Sequence, residues 1–422
     1  MRLRSLLSLP GLGVAVVLAG CGASSASGEI LGGDLGSPSP DSTVVTGTST
    51  AQSGTLTAGD WDDNLNFDLF QTFVTSHLAE NQGDSAFVTD DRVILRVVGE
   101  GDAPVVGAHV TISDASHSYL DAPTGSDGRL LFFPKHDGAA NAADLTITVE
   151  PPDGQTSVQP ITVPAPAGGE WKITLPGAKN QAPTALDLAF VLDATGSMGD
   201  EIEFLKVEMQ AIDSDVHAAF GNVSVHYGLI VYRDIGDSFV TKVFDFTGGL
   251  PAFNAELGLQ AADGGGDEPE AMDAAVKLVP QLSWRGSEAA KMAFLVADAP
   301  PHPENVSTYL SGLDALRGLG VKLYPIAASG TSEEAEYVLR VGAQATLGRY
   351  LFLTDDSGVG DPHAEPHIPC YQVSKLGKVV ARMIASELTG TRVAAPQADV
   401  IRSVGDPVDG VCALADGGKA FF

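Results

Sequence analysis

Residues 190–200 read FVLDATGSMGD. An apolar run over 188–192 stops at Asp193, and hydroxyls follow at Thr195 and Ser197 with Gly196 between them. A carboxylate at the carboxyl end of a buried strand, with two hydroxyls at alternate positions beyond it, converges three hard oxygen donors. Mg2+ and Mn2+ take oxygen shells of this kind and rarely draw the whole shell from protein. Two later stretches carry more acid: ADGGGDEPEAM with Asp267, and MAFLVADAPPH with Asp298. Arg233 and Asp234 in VYRDIGD follow another apolar run and are expected on the same face, where their pairing with each other is equally an ordinary surface ion pair.

The elements that must hold these groups alternate strand with helix from about 185 to 390. Apolar runs near 186–192, 223–232, 239–246, 290–296, 322–327 and 349–353 read as six strands of a mostly parallel, doubly wound α/β sheet. Helices are expected over 201–220, 252–261, 270–282, 308–319, 333–345 and 373–388. The last places Val373, Leu376, Val380, Met383, Ile384 and Leu388 on one stripe. With strands ordered 3-2-1-4-5-6, the first and fourth flank the switch point, so Asp298 belongs beside Asp193. Thr195 and Ser197 also have the residue types of helix caps for the helix that follows.

The spacing D-x-T-x-S resembles the metal-ion-dependent adhesion site of von Willebrand factor A domains, whose usual form is D-x-S-x-S. The resemblance covers about half the chain. It implies that Mg2+, or Mn2+ or Ca2+, sits on Asp193, Thr195, Ser197 and Asp298, and that a protein partner offers a carboxylate to complete the shell. Asp267 stands where the family usually carries a threonine. Three directly bound carboxylates would repel an acidic ligand, so bridging water for some of them is the expected arrangement. The alternative is a scaffold of an envelope complex in which the metal is purely structural.

No nucleophile elbow, phosphate loop or D-x-D phosphatase motif is present, and no enzymatic activity is expected. His302 reads as a neighbour of the site. The loop with His363, Glu365 and His367 borders the binding face and is a poor zinc site for want of a rigid scaffold.

The region 86–176 reads as all-β, and PVVGAHVTI and TGSDGRLLF resemble the carboxypeptidase regulatory-like β-sandwich, a module that usually serves as a stalk. Before it, 60–85 reads as a short helical segment starting at Asp60–Asp63, and 22–59 as a flexible Ser/Gly/Thr tether. Residues 1–21 have the charge layout of a secretory signal. The LAGC ending resembles a bacterial lipobox, with Cys21 the lipidated residue; the alternative is an ordinary signal with a chance cysteine. A lipid-anchored envelope protein follows, at the outer membrane or cell surface rather than the inner membrane.

Cys370 and Cys412 remain, and an oxidising compartment favours a disulfide tying 391–422 back to the main domain, the alternative being two reduced buried thiols. With 54 acidic against 24 basic residues and a net charge of −30, nucleic acid is an unsuitable partner.

Overall fold

The computed structural model describes residues 54–81, 87–161, 169–178, 182–221, 223–266, 268–358, 363–415 and 417–422. Cys21, most of the 22–59 stretch and Asp267 lie outside the described residues. Among the described residues the first elements are β1 (Thr57–Trp61) and α1 (Phe67–Glu80). Seven short strands follow: β2 (Val93–Val98), β3 (His109–Ser113), β4 (Ser118–Pro123), β5 (Arg129–Phe132), β6 (Thr146–Glu150), β7 (Ser157–Pro160) and β8 (Glu170–Thr174).

The alternating region starts with β9 (Ala185–Asp193), α2 (Gly199–Phe220), β10 (Ser224–Tyr232), β11 (Thr241–Thr247), α3 (Leu250–Gly258) and α4 (Met272–Val276). It continues through β12 (Ala289–Ala297), α5 (Val306–Leu319), β13 (Lys322–Ala327), α6 (Glu333–Ala345) and β14 (Tyr350–Thr354). Last come β15 (Tyr371–Lys375), α7 (Leu376–Thr389), β16 (Arg402–Val404), β17 (Pro407–Val408), β18 (Val411–Ala413) and β19 (Lys419–Phe421). Among the described residues no helix is long and apolar enough to cross a membrane.

The central sheet has nine strands, not six, in the order β11-β10-β9-β12-β13-β14-β1-β15-β16. β10, β9, β12, β13 and β14 are mutually parallel, whereas β1 runs antiparallel between β14 and β15. β9 is buried along all nine residues, which explains its nearly unbroken apolar sequence: both faces of a parallel strand are covered. Ala189 and Val191 face the core shared with α4, α5 and α6, and Leu188, Phe190 and Leu192 face the one shared with α2 and α7. Its one internal charge, Asp187, is bonded to Arg285 at 2.6 Å.

β1 escapes sequence reading because TAGDW has no strand periodicity; only the ladder it completes makes it a strand. Asp60–Asp63 accordingly do not start a helix. Asp60 pairs with Arg382 at 2.6 Å, and Asp63 holds buried Arg340 through both oxygens at 2.7 and 3.0 Å. Val373 lies in β15 rather than on the stripe of α7, and 270–282 is a single short helix followed by a 3-10 turn at Val279–Gln281.

β2 to β8 form two small sheets, β5-β2-β8 and β4-β3-β6-β7, whose inward side chains share one core. They lie against the α/β region instead of standing off from it as a stalk would. Arg317 on α5 donates to Asp137 at 3.0 Å, and Ser126 donates to Glu387 on α7 at 2.8 Å. Cys370 and Cys412 are disulfide-bonded, and the Phe421 N–H donates to Asn66 Oδ1 at 2.7 Å, so the final segment closes onto the first one.

Candidate metal centre

Asp193 ends β9, opposite Tyr232 at the end of β10, and is fully buried. Its Oδ1 accepts the Thr195 N–H at 2.9 Å and the Thr195 hydroxyl at 2.7 Å. Thr195 and Ser197 cap no helix by their side chains; the Thr195 hydroxyl turns back to Asp193 and stands 3.5 Å from Ser197 Oγ. Asp298 stands one residue beyond β12 and lines one cavity with Thr195 and Ser197. The expected neighbourhood of Asp193, Thr195, Ser197 and Asp298 is therefore assembled by adjacent strand ends.

The glycine-rich loop closes over these groups. The Asp263 N–H donates to Ala194 O at 3.0 Å, and the Gly196 N–H to Gly264 O at 3.1 Å. Gly264, Gly265 and Gly266 take φ of +81°, +70° and +127°, values that side chains disfavour. A Cβ on Gly265 would stand 2.7 Å from Glu270 Oε1 and 3.0 Å from Thr195 Cβ, so Glu270 and Thr195 approach each other across that glycine. The Glu270 N–H donates to Pro300 O at 3.0 Å, stitching this loop to the one that carries Asp298.

Glu270 is the residue that sequence reasoning missed. Asp267, the acid expected here, lies outside the described residues, whereas Glu270 is 5% exposed and lines the site. The signal available was the glutamate of the P-E pair three residues on; nothing in the spacing says that the loop turns it inward. Thr195, Ser197, Glu268, Glu270 and Asp298 border a cavity of about 470 Å3.

Asp193 Oδ2, Asp298 Oδ1 and Glu270 Oε2 are buried without a hydrogen-bond partner, and none of the three residues forms an ion pair among the described residues. Burial, then Asp298, pushes Asp193 up from 3.8 to about 7. Burial, then Asp193, Asp234 and Asp298, lifts Glu270 from 4.5 to about 8, and burial raises Asp298 too. Buried carboxylates that repel one another and lack donors are the environment a cation relieves. The residues thus fit a divalent ion.

Their spacing is looser than that of a fully direct carboxylate shell. Among the described residues, the acid and histidine trio with ligand atoms all within 4.8 Å is elsewhere, at His136, Asp137 and Asp314. There Arg317 donates to Asp137 at 3.0 Å and to Asp314 at 2.8 Å, so that trio already has its cation.

Arg233 and Asp234 do not pair with each other. Arg233 donates to Ala194 O at 3.1 Å, Ala261 O at 2.9 Å and Asp263 Oδ2 at 3.2 Å, clamping the loop after β9 to the glycine-rich loop. Asp234 instead meets His302 Nε2 at 2.6 Å. His363 is turned inward between Asp355 at 2.9 Å and Ser329 at 3.1 Å, away from the cavity. His367 bonds Glu336 and Glu365 is bonded by Tyr371, so the His-Glu-His loop converges on no common point.

Residues 187–316 match the family described as von Willebrand factor A domain, and the chain carries such an α/β domain with a mixed, largely parallel central sheet. Two curated relatives share part of it. An alpha-protein kinase, vwkA, of Dictyostelium discoideum is 28% identical over 32% of this chain. A putative ariadne-like RING finger protein of Acanthamoeba polyphaga mimivirus is 33% identical over 29% of it. The matches span 21% and 12% of those proteins' own lengths. Among solved structures, the conserved hypothetical protein BatB of Bacteroides thetaiotaomicron is 12% identical with a TM-score of 0.34, over 48% of this chain and 98% of that one. The pilus adhesin SpaC of Lactobacillus rhamnosus GG gives the same identity and TM-score over 51% and 30%.

Proposed function

We propose that the α/β domain binds a protein partner through a divalent cation held where β9 and β12 end. The observation that carries this is the trio of buried, unpartnered carboxylate oxygens on Asp193, Asp298 and Glu270, the last two lining one cavity and Asp193 bonded to Thr195 in its wall. Mg2+ is the proposed ion, with Mn2+ and Ca2+ as alternatives, since all three take oxygen donors. When bound, it supplies an electrophilic contact that a carboxylate of the partner can complete. Asp193 Oδ1 orients the Thr195 hydroxyl, Ser197 and Asp298 face the same cavity, and Arg233 keeps both loops in register. Asp267 is proposed as an outer ligand acting through water.

The wider proposal is of a binding protein, not an enzyme, anchored in a bacterial envelope through lipid on Cys21. A second reading, a scaffold with a structural metal, is favoured by Glu270: a carboxylate from the chain itself can fill the position a partner would use. Affinity capture from envelope extract in Mg2+ and in excess EDTA separates the two. Partners lost in EDTA and with Asp193→Ala support metal-bridged binding. Partners retained equally in EDTA reject it and leave the scaffold.

A further inference from the structure

A second cavity, of about 320 Å3, opens between the two small sheets and the α/β region. Arg129 on β5, Lys322 on β13, Arg349 just before β14 and Arg392 beyond α7 line it, against the carboxylates of Asp62, Asp127 and Glu387. Lys322 is satisfied, because Glu387 accepts from it at 2.8 Å and from Tyr324 at 2.8 Å. The arginines are satisfied only in part. Arg382, Arg392 and Arg349 share two acids, Asp60 and Asp62. Arg382 takes Asp60 at 2.6 Å and Arg392 takes Asp62 at 2.5 Å, while Arg349 makes longer contacts, donating to Asp60 at 3.5 Å and pairing with Asp62 at 3.5 Å.

On the opposite wall Arg129 comes no closer to Glu170 than 3.9 Å. The Nε–H groups of both Arg129 and Arg392 are buried without an acceptor. Burial, and then the Arg349 guanidinium, pull Arg392 below the usual arginine range, as expected of a cation short of counter-charge. A buried charged donor with no acceptor carries its full desolvation cost, so such groups are normally satisfied by something. Planar guanidinium groups converging from three elements match the geometry of a carboxylate or phosphate. In a chain of net charge −30, a cavity with more cations than carboxylates is against the general trend.

We propose that this cavity binds a small oxyanion, of phosphate or carboxylate chemistry, between Arg129, Arg349 and Arg392. Because Arg129 belongs to the small sheets and the other two to the α/β region, the ligand would cross-link the two parts of the fold.

The test is a thermal melt and a calorimetric titration of the full chain with inorganic phosphate, and in a second arm succinate, at ionic strength held constant with chloride. A saturable rise in melting temperature that Arg129→Gln weakens about tenfold in affinity supports the site. Which arm saturates identifies the ligand chemistry. Arg129→Gln is chosen because Arg392 also holds Asp62; Arg392→Gln is the second variant and should lose the same response where it folds. A non-saturating rise of equal slope in the wild type and Arg129→Gln is the behaviour of a solute excluded from the protein surface, and overturns the proposal. So does the absence of any shift in both arms.

Discussion

Replacing Asp193 by asparagine should stabilise the metal-free protein above neutral pH while abolishing its response to metal. Burial and Asp298 raise Asp193 from 3.8 to about 7. Between those values the folded carboxyl keeps a proton that the unfolded chain has lost. The stability it contributes is therefore complete below pH 3.8 and falls as pH rises to about 7. About three pKa units at 1.36 kcal/mol each amount to about 4 kcal/mol lost by pH 8. Part of that belongs jointly to Asp298 and Glu270, which titrate with it, so the share recovered by Asp193→Asn is about 2–4 kcal/mol. The amide keeps the oxygen that accepts from Thr195, so the local turn survives.

Urea melts in EDTA at pH 5.5 and pH 8 measure this directly. The variant should be more stable than the wild type at pH 8 and still ahead, by about half as much, at pH 5.5, with the two converging only towards pH 3.8. Millimolar Mg2+ should raise the wild type alone at pH 8 and close most of the gap, since an ion at 100 times its Kd adds about 2.7 kcal/mol. A variant less stable than the wild type in EDTA at pH 8 would refute the electrostatic account of the site.

Glu270→Gln should weaken divalent-ion affinity about tenfold or more by calorimetry, as loss of one hydrogen-bonded or coordinating charge does; unchanged affinity would remove Glu270 from the site. Arg233→Met should cost about 1–3 kcal/mol of stability, because it releases the buried Ala194 carbonyl and a half-buried bond to Ala261, and should lower metal affinity although Arg233 touches no ion. Asp63→Ala leaves buried Arg340 without its bidentate partner and should cost about 3–5 kcal/mol, with early proteolysis within β1 and α1 as the local sign. Breaking the Cys370–Cys412 bridge, with 42 residues of sequence separation, should cost about 4 kcal/mol by loop entropy, measured as a melt of the double serine variant.

Local sequence determined much of this protein. The buried run ending in Asp193, the two hydroxyls beyond it and the apolar run before Asp298 are each legible because a parallel strand covered on both faces needs continuous apolar residues. Strand-helix alternation is enough to bring Asp193 and Asp298 together, since neighbouring strand ends share an edge. Tertiary structure alone decided the rest. TAGDW becomes the seventh strand of the sheet only because β14 and β15 leave a ladder for it, and its Asp60, with Asp62 and Asp63 just beyond, faces arginines about 280 to 330 residues away. Arg233 looked like the partner of Asp234, yet it serves carbonyls of two other loops. Glu270 enters the site because three left-handed glycines redirect the chain, and the direction of a turn is set by what it packs against. Contacts of that range have no period in the sequence, so they are fixed only when the whole core closes.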